Sequence, residues 1–279
     1  MTDSTIKKPE KNHEFLVFTS AGDQNNINGW CEGKRNFDLW VYYYGEKENP
    51  PGKKHTDFFN RSKGGKMQNF YKCLNDFRDV IEKYNAILLA DDDIVINSEN
   101  INILFKQLEL NELVALQPAA DPAGKASYPL HNVKIGSELR FVNFLEITFP
   151  FFKTQPLLEF MKEYSPIVNC WGVDWWFSYF LTQRYGQRSL AIIDTIPYFN
   201  PYDFDKTDGR EIEKLSSIKE LAATWEKFQK DNNIITEKGN LIVYNNTKSK
   251  KPLVIFKQVY IYLRYQVIRI FRHIKRLIK

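Results

Sequence analysis

One stretch limits this chain more than any other: the nearly continuous apolar run Asn85-Ala-Ile-Leu-Leu-Ala90, followed at once by Asp91-Asp-Asp93. A short apolar run without alternation reads as a strand buried on both faces, which needs layers on either side of a sheet. Three adjacent carboxylates cannot follow it inside, because their repulsion grows as water is withdrawn. The strand must therefore surface there. Runs of the same kind recur. Phe15 to Thr19 opens into Ser20-Ala-Gly-Asp23, Phe37 to Tyr44 is closed by Gly45, Val114 to Gln117 is stopped by Pro118, and Ala191 to Asp194 comes late. Helical patterns lie between them. Met67, Phe70, Tyr71, Leu74, Phe77, Val80 and Ile81 recur at three and four, and Ile101 to Leu108 gives a shorter helix. Strand and helix alternate, which predicts an α/β, Rossmann-like three-layer sandwich with a mostly parallel central sheet.

Several classes are excluded early. No apolar run approaches the roughly 18 uncharged residues of a spanning helix. Met1 to Asn12 is polar, without the apolar core of a secretory signal, and reads as a loose arm. Cys31, Cys73 and Cys170 are too widely spaced for a metal knuckle and odd in number, which suits a reducing compartment. The four histidines show no paired ligand spacing, and no Gly-x-Ser-x-Gly elbow exists. Asp203, Asp205 and Asp208 miss the glycine that a calcium loop requires.

The residues that can carry chemistry cluster at strand ends. In open α/β sheets, ligands bind outside the carboxyl ends of strands. Asp91 and Asp93 are two apart and share a face if the backbone stays extended. Together they suit a hard divalent ion such as Mg²⁺ or Mn²⁺ bridging to a diphosphate. A solvated acidic turn is the plain alternative. Lys63-Gly-Gly-Lys66 enters a helix and offers lysine charge and backbone N–H groups to phosphate, or is simply a loop-to-helix turn. Trp171-Gly-Val-Asp-Trp-Trp176 places Asp174 among flat apolar rings. Desolvation there favours a raised pKa and a general-base role, while an ordinary helix N-cap would need the same residue. Gln117 and Glu146 stand beside apolar runs and either touch a ligand or satisfy buried backbone.

The order of these pieces resembles glycosyltransferases of the GT-A fold. More narrowly, it is similar to the family called domain of unknown function 707. The matching pieces are Gly64-Gly-Lys-Met-Gln-Asn69, Leu89-Ala-Asp-Asp-Asp-Ile94, Leu116-Gln-Pro-Ala119 with Asp121-Pro122, Phe144-Leu-Glu-Ile147 with Pro150, Cys170-Trp-Gly-Val-Asp-Trp175, and the block opened by Asp194. They cover roughly residues 14 to 205. The resemblance implies a nucleotide-sugar donor, UDP-linked, and a metal cofactor, Mn²⁺ or Mg²⁺, on Asp91 and Asp93. Asn200 stands near where the family tends to carry a histidine, so it is the expected third ligand. Asp174 falls where such enzymes place the base that activates the acceptor, which implies inversion. Ser20, Ala21, Asp23, Lys63, Lys66 and Asp92 would surround the donor. Gln117, Glu146, Trp171, Gly172 and Trp175 would meet the sugar or acceptor.

The tail adds a partner. No Asp or Glu follows Glu237, and ten Lys/Arg lie from Lys248 onward, so a body of net −5 carries a basic tail. Phe256, Val259, Tyr260, Leu263, Val267, Ile270, Phe271, Ile274 and Ile278 form one stripe on a predicted helix. A basic amphipathic helix suits an anionic membrane surface; an ordinary helix packed on the body, or one that binds a partner, is the plain alternative. The acidic body and lack of nucleic-acid motifs count against DNA or RNA. The expected organisation is an arm over 1–12, a GT-A-like catalytic domain over 13–210, a helical extension over 211–247 and a membrane-associating helix over 248–279. The whole reads as a cytoplasmic protein, peripheral at the inner face of the cell membrane, acting on a glycan or lipid-linked acceptor of a surface polysaccharide. A catalytically inactive glycan-binding or scaffold domain, and a metal-dependent phosphotransferase or nuclease, are the competing readings.

Overall fold

The computed structural model describes residues 9–202 and 217–277. The Asp203–Asp208 stretch and the start of the expected helix from Glu211 lie outside the described residues. In chain order the strands are β1 (Phe15–Ala21), β2 (Phe37–Tyr43), β3 (Phe58–Arg61), β4 (Ala86–Asp91), β5 (Ala115–Ala120), β6 (Ser137–Val142), β7 (Phe151–Lys153), β8 (Leu190–Tyr198) and β9 (Val243–Lys248). The helices are α1 (Ile27–Trp30), α2 (Lys66–Ile81), α3 (Ser98–Leu110), α4 (Thr154–Glu163), α5 (Val173–Tyr185), α6 (Ile218–Asp231) and α7 (Pro252–Leu277).

The strands form one sheet in the order β3-β2-β1-β4-β7-β5-β8-β6-β9. Successive residues of β1 and β4 point to opposite faces, and both faces are apolar. Leu16, Phe18, Ile87 and Leu89 join a cluster with the apolar sides of α2, α4 and α5. Phe15, Val17, Leu88 and Ala90 join a second cluster with α1 and α3. This two-sided burial is why these runs lack alternation, and it yields the three layers.

The sheet is mixed, which corrects the expectation of a mostly parallel one. Four pairings are parallel (β1–β2, β1–β4, β2–β3, β5–β8) and four antiparallel (β4–β7, β5–β7, β6–β8, β6–β9). The reason lies in β7. This three-residue strand wedges antiparallel between β4 and β5, with Phe151 opposite Leu88 on one side and Leu116 on the other. Beyond β8, β6 and β9 finish the sheet antiparallel, and β9 is a largely exposed polar edge, Val-Tyr-Asn-Asn-Thr-Lys.

Strands β1, β2, β4, β5 and β8 nevertheless run in one direction, so their carboxyl ends share one edge of the sheet. The β1–β4 register sets Ser20 beside Asp91. The exits of β5 and β8 lie close by, where the Asp121 N–H donates to the Tyr198 carbonyl at 2.8 Å. A buried ion pair braces the far side. Arg140 on β6 reaches both oxygens of Asp194 on β8 at 2.8 and 2.9 Å, and donates to the carbonyls of Leu130 and Asn132. Asp194, which matched a motif block in the sequence, is fully buried and structural.

Breaking such a pair from one side leaves an uncompensated buried charge. Arg140→Met should cost about 3–5 kcal/mol in urea unfolding, whereas the exposed Arg78–Glu82 pair on α2, cut by Arg78→Met, should cost no more than about 1 kcal/mol.

Candidate active site

A cavity of about 640 Å³ opens at the carboxyl edge of the sheet, and its two walls differ in chemistry. One wall is built from the ends of β1 and β4 and the start of α2. Gly65 precedes α2 because any side chain there would overlap Asn169, and its N–H donates to Gln68 Oε1 at 3.0 Å, closing the first turn. The next residue, Lys66, turns inward, and only 4% of it is exposed. Its ammonium lies 2.6 Å from Asp91 Oδ1 and donates to the carbonyls of Leu89 (3.1 Å), Ile147 (2.5 Å) and Thr148 (3.2 Å). A lysine at this depth needs such partners, since an unpaired buried cation would lose several kcal/mol of hydration.

The acidic triplet is splayed rather than stacked. Asp91 turns to Lys66, while Asp92 Oδ2 accepts the Gly22 N–H at 2.7 Å. Asn26 stitches the turn from outside: its backbone N–H donates to the Asp92 carbonyl at 2.7 Å and its side-chain amide to the Asp93 carbonyl at 2.5 Å. The Asp91 and Asp92 carboxylates thereby have separate partners, which limits their mutual repulsion. Ser20 accepts from the Asn69 amide at 2.9 Å. Asp23 accepts the Tyr43 hydroxyl, and chiefly that bond holds its carboxyl below the ordinary range. Lys63 sits at the rim and pairs with Glu46.

The other wall is aromatic and holds two further carboxylates. Helix α5 starts at Gly172, whose φ of 80° favours glycine and whose absent side chain leaves room for the Trp225 indole of α6. With Gly172 as the N-cap, Asp174 lies in the first turn, two positions past the cap, and its carboxylate accepts the Trp175 N–H at 2.9 Å. Burial drives the Asp174 carboxyl up to about 7; the Trp175 bond pulls the other way and the charge of Glu146 adds to the rise. Glu146 behaves oppositely. Burial alone would raise it, but His131, with Nδ1 at 3.1 Å, together with the Tyr128 N–H and the Thr148 hydroxyl, holds it below the ordinary carboxylate range. Trp175 stacks on Phe144 with centroids 4.0 Å apart and donates from its indole to the Tyr128 hydroxyl at 3.1 Å. Trp171 is 40% exposed at the mouth.

Most residues expected from the sequence line this cavity: Ser20, Asp23, Lys63, Lys66, Asp91, Asp92, Asp93, Glu146, Trp171, Gly172, Asp174, Trp175 and Asn200. Two do not. Ala21 points into the core beneath β1. Gln117 is fully buried under the floor, where it accepts the Glu146 N–H at 2.8 Å and donates to the Tyr198 hydroxyl at 3.2 Å. It supports Glu146 instead of meeting a ligand. The cavity also gains Lys125, Ser127, Tyr128, Trp225 and Lys238. The first three sit in a loop without periodicity. Trp225 and Lys238 come from the extension after β8, and the only sequence hint was Gly172, a glycine that makes room for something.

Asp91, Asp93 and Asn200 offer oxygen donors, and no set of three His, Cys, Asp or Glu side chains is grouped for an ion among the described residues. That chemistry fits Mg²⁺ or Mn²⁺, which bind through one or two carboxylates and leave the other positions to water and substrate phosphates. The Lys66 contact already neutralises part of the Asp91 charge.

No family model matches the sequence, and no curated protein is similar to it in sequence. Solved structures are similar in fold. S. aureus TarS aligns with a TM-score of 0.51 at 12% identity, over 78% of this chain and 44% of TarS. TarS 1–349 in complex with UDP-GlcNAc aligns with a TM-score of 0.51 at 13% identity, over 78% of this chain and 66% of that one. This chain thus spans less than half the length of the first. The likeness establishes a shared α/β fold.

The Asp174 environment has a measurable consequence for stability. Its folded pKa lies above the ordinary 3.8, so the protonated form is favoured by folding. That contribution is complete below about pH 4 and is lost as pH rises through about 7. Asp174→Asn lacks the loss. Its melting temperature should therefore rise relative to the unsubstituted protein between pH 5 and pH 8; a difference that is flat with pH would refute the assignment.

Proposed function

We propose that the chain is a glycosyltransferase that moves a sugar from a nucleotide-sugar donor, UDP-linked, to a glycan or lipid-linked acceptor. The observation that carries this reading is the cavity itself. An acidic cluster at the carboxyl end of β4 faces, across one space, a carboxylate of raised pKa set among tryptophans. The fold shared with TarS, which has been crystallised with UDP-GlcNAc, supports the donor class.

In this reading the nucleoside lies along Ser20 to Asp23 and the pyrophosphate over Asp91 and Asp93. Bound there with Asn200, Mg²⁺ or Mn²⁺ would supply positive charge for the departing diphosphate. Lys66 holds Asp91 in place and keeps the wall from being uniformly anionic. The acceptor enters past Trp171, whose exposed indole offers a flat face to a sugar ring. Asp174 takes the proton from the acceptor hydroxyl as that oxygen attacks the anomeric carbon; the C–O bond to the diphosphate breaks on the opposite side, which inverts the centre. Efficient bases have pKa values near the working pH. Glu146 stays ionised below Asp174 and holds Ser127 and Tyr128 through their N–H groups at 3.0 and 3.1 Å.

The acceptor's setting follows from α7. Gln258 and Ile261 of this helix are buried against the body, whereas Phe256, Tyr260, Leu263, Val267, Ile270 and Phe271 are all exposed. Their spacing of three and four places them on one outward face. Among the described residues, no helix is long and apolar enough to cross a membrane. The outward face is instead proposed to lie in the interface of an anionic bilayer, flanked by exposed Lys257 and Arg269, each cation adding about 1 kcal/mol near such a surface. The protein would then work at the cytoplasmic face on a lipid-linked acceptor.

Transfer from a panel of nucleotide sugars, measured as released nucleoside diphosphate with acceptor present, tests the central reading. One donor should be used, with kcat/KM rising through about pH 7 as Asp174 ionises, and Asp174→Asn should lower turnover by at least about 10²-fold while leaving donor affinity within a factor of two or so. Binding without turnover would favour the inactive glycan-binding alternative. For the membrane, Val267→Glu combined with Ile270→Glu should move the protein from the floated to the soluble fraction with phosphatidylserine vesicles; undiminished flotation would contradict the orientation.

A further inference from the structure

The inward side of α7 carries polar groups beside Ile261 where an ordinary docked helix would be apolar throughout. Arg264 pairs with Asp121, whose other oxygen accepts the Ala123 N–H at 2.9 Å. Arg272 reaches the Ala123 carbonyl at 3.4 Å, and its guanidinium lies 4.5 Å from the Tyr202 ring centroid. Both arginines thus grip the turn that leaves β5. From that turn the chain runs directly along the cavity. The Gly124 N–H donates to the Asp121 carbonyl at 2.9 Å, the Lys125 N–H donates to the Asn200 carbonyl at 2.7 Å, and Lys125, Ser127, Tyr128 and Asn200 all line the cavity. Asp121 is itself nearly buried, so its second oxygen has little access to solvent in place of the guanidinium. Residues 121–128 form a strap. Glu146 holds one end of it at Ser127 and Tyr128, and α7 holds the other.

We infer that Arg264 is a positioning residue of the active site, fixing through Asp121 the strap that brings Lys125 to the donor cavity and holds Asn200 by its carbonyl. The helix whose outer face meets lipid is then a working part of the donor wall as well as an anchor. This deepens the transferase reading and rests on it for its kinetic readout. It also explains why a helix with so exposed an apolar stripe keeps arginines on its protein side: they hold a turn, where leucines would only fill space.

The test uses the full chain in detergent micelles without lipid, so that membrane attachment plays no part. Arg264→Gln and Asp121→Asn are each expected to raise the donor KM about three- to tenfold with kcat changed by less than about twofold. The double variant should be no worse than the poorer single one, because both substitutions break the same contact. In parallel, amide hydrogen exchange over residues 121–128 should quicken in both variants while β1 and β4 stay protected. Unchanged KM with unchanged exchange overturns the inference, and so do strictly additive effects in the double variant. If the unsubstituted protein turns over no nucleotide sugar, the transferase reading fails, while the exchange of 121–128 in Arg264→Gln still decides whether the helix holds the strap.

Discussion

A single buried ammonium organises the acidic end of this molecule. Lys66 opens α2, yet its charge is spent on the end of β4 and on the Ile147–Thr148 segment that leads into β7. Three carbonyls and a carboxylate around one cation form a tight polar knot where three pieces of chain meet. Without it, Asp91 would face two neighbouring carboxylates at the bottom of a cavity, and their repulsion would spread the strand end. With it, the triplet can exist before any ligand arrives. Asp92 and Asp93 line the same cavity.

Much of the frame is legible in the sequence. The runs over β1, β2, β4, β5 and β8 lack alternation because the sheet is covered on both faces, and that pattern survives without any tertiary knowledge. Strands β3, β7 and β9 are a different matter. β7 has only three residues, too few to show a period, and β9 is polar because one of its edges meets solvent. Of the strands the sequence leaves unread, β6, β7 and β9 carry the antiparallel pairings while β3 pairs parallel with β2, so the mixed character of the sheet stays hidden with those three. The acidic triplet and Asp174 stood out because both violate the chemistry of their surroundings. Lys66 was read as a phosphate contact, since nothing in sequence reveals a partner 25 positions away. Strand parity explains Ala21, since a neighbour of a site residue on a strand points to the other face, whereas Gln117 lies one layer too deep, bonded beneath Glu146. The tail pattern gave two faces but no statement of which one the body takes.

Under the proposed function, the two walls of the cavity divide the work that a group transfer needs. One concentrates oxygen donors and a fixed cation, suited to a diphosphate. The other places Glu146 and Asp174 in surroundings that push their carboxyls in opposite directions, one held ionised and one poised near neutrality. Divergent environments for paired carboxylates are how one fold separates a structural anion from a proton acceptor. The route between the walls passes Trp171, Trp225 and Lys238, contributed partly by chain that follows β8. The later extension is therefore part of the site and not an appendage to it.

The most direct measurement is calorimetric titration of UDP-GlcNAc into the protein with Mn²⁺ present and after its removal by chelation, repeated with Asp93→Asn. The account predicts saturable binding that requires the ion and is lost in the variant, with Asp174→Asn binding as the unsubstituted protein does. Binding by Asp93→Asn that is as tight as before, and indifferent to chelation, would contradict a diphosphate seated at the end of β4.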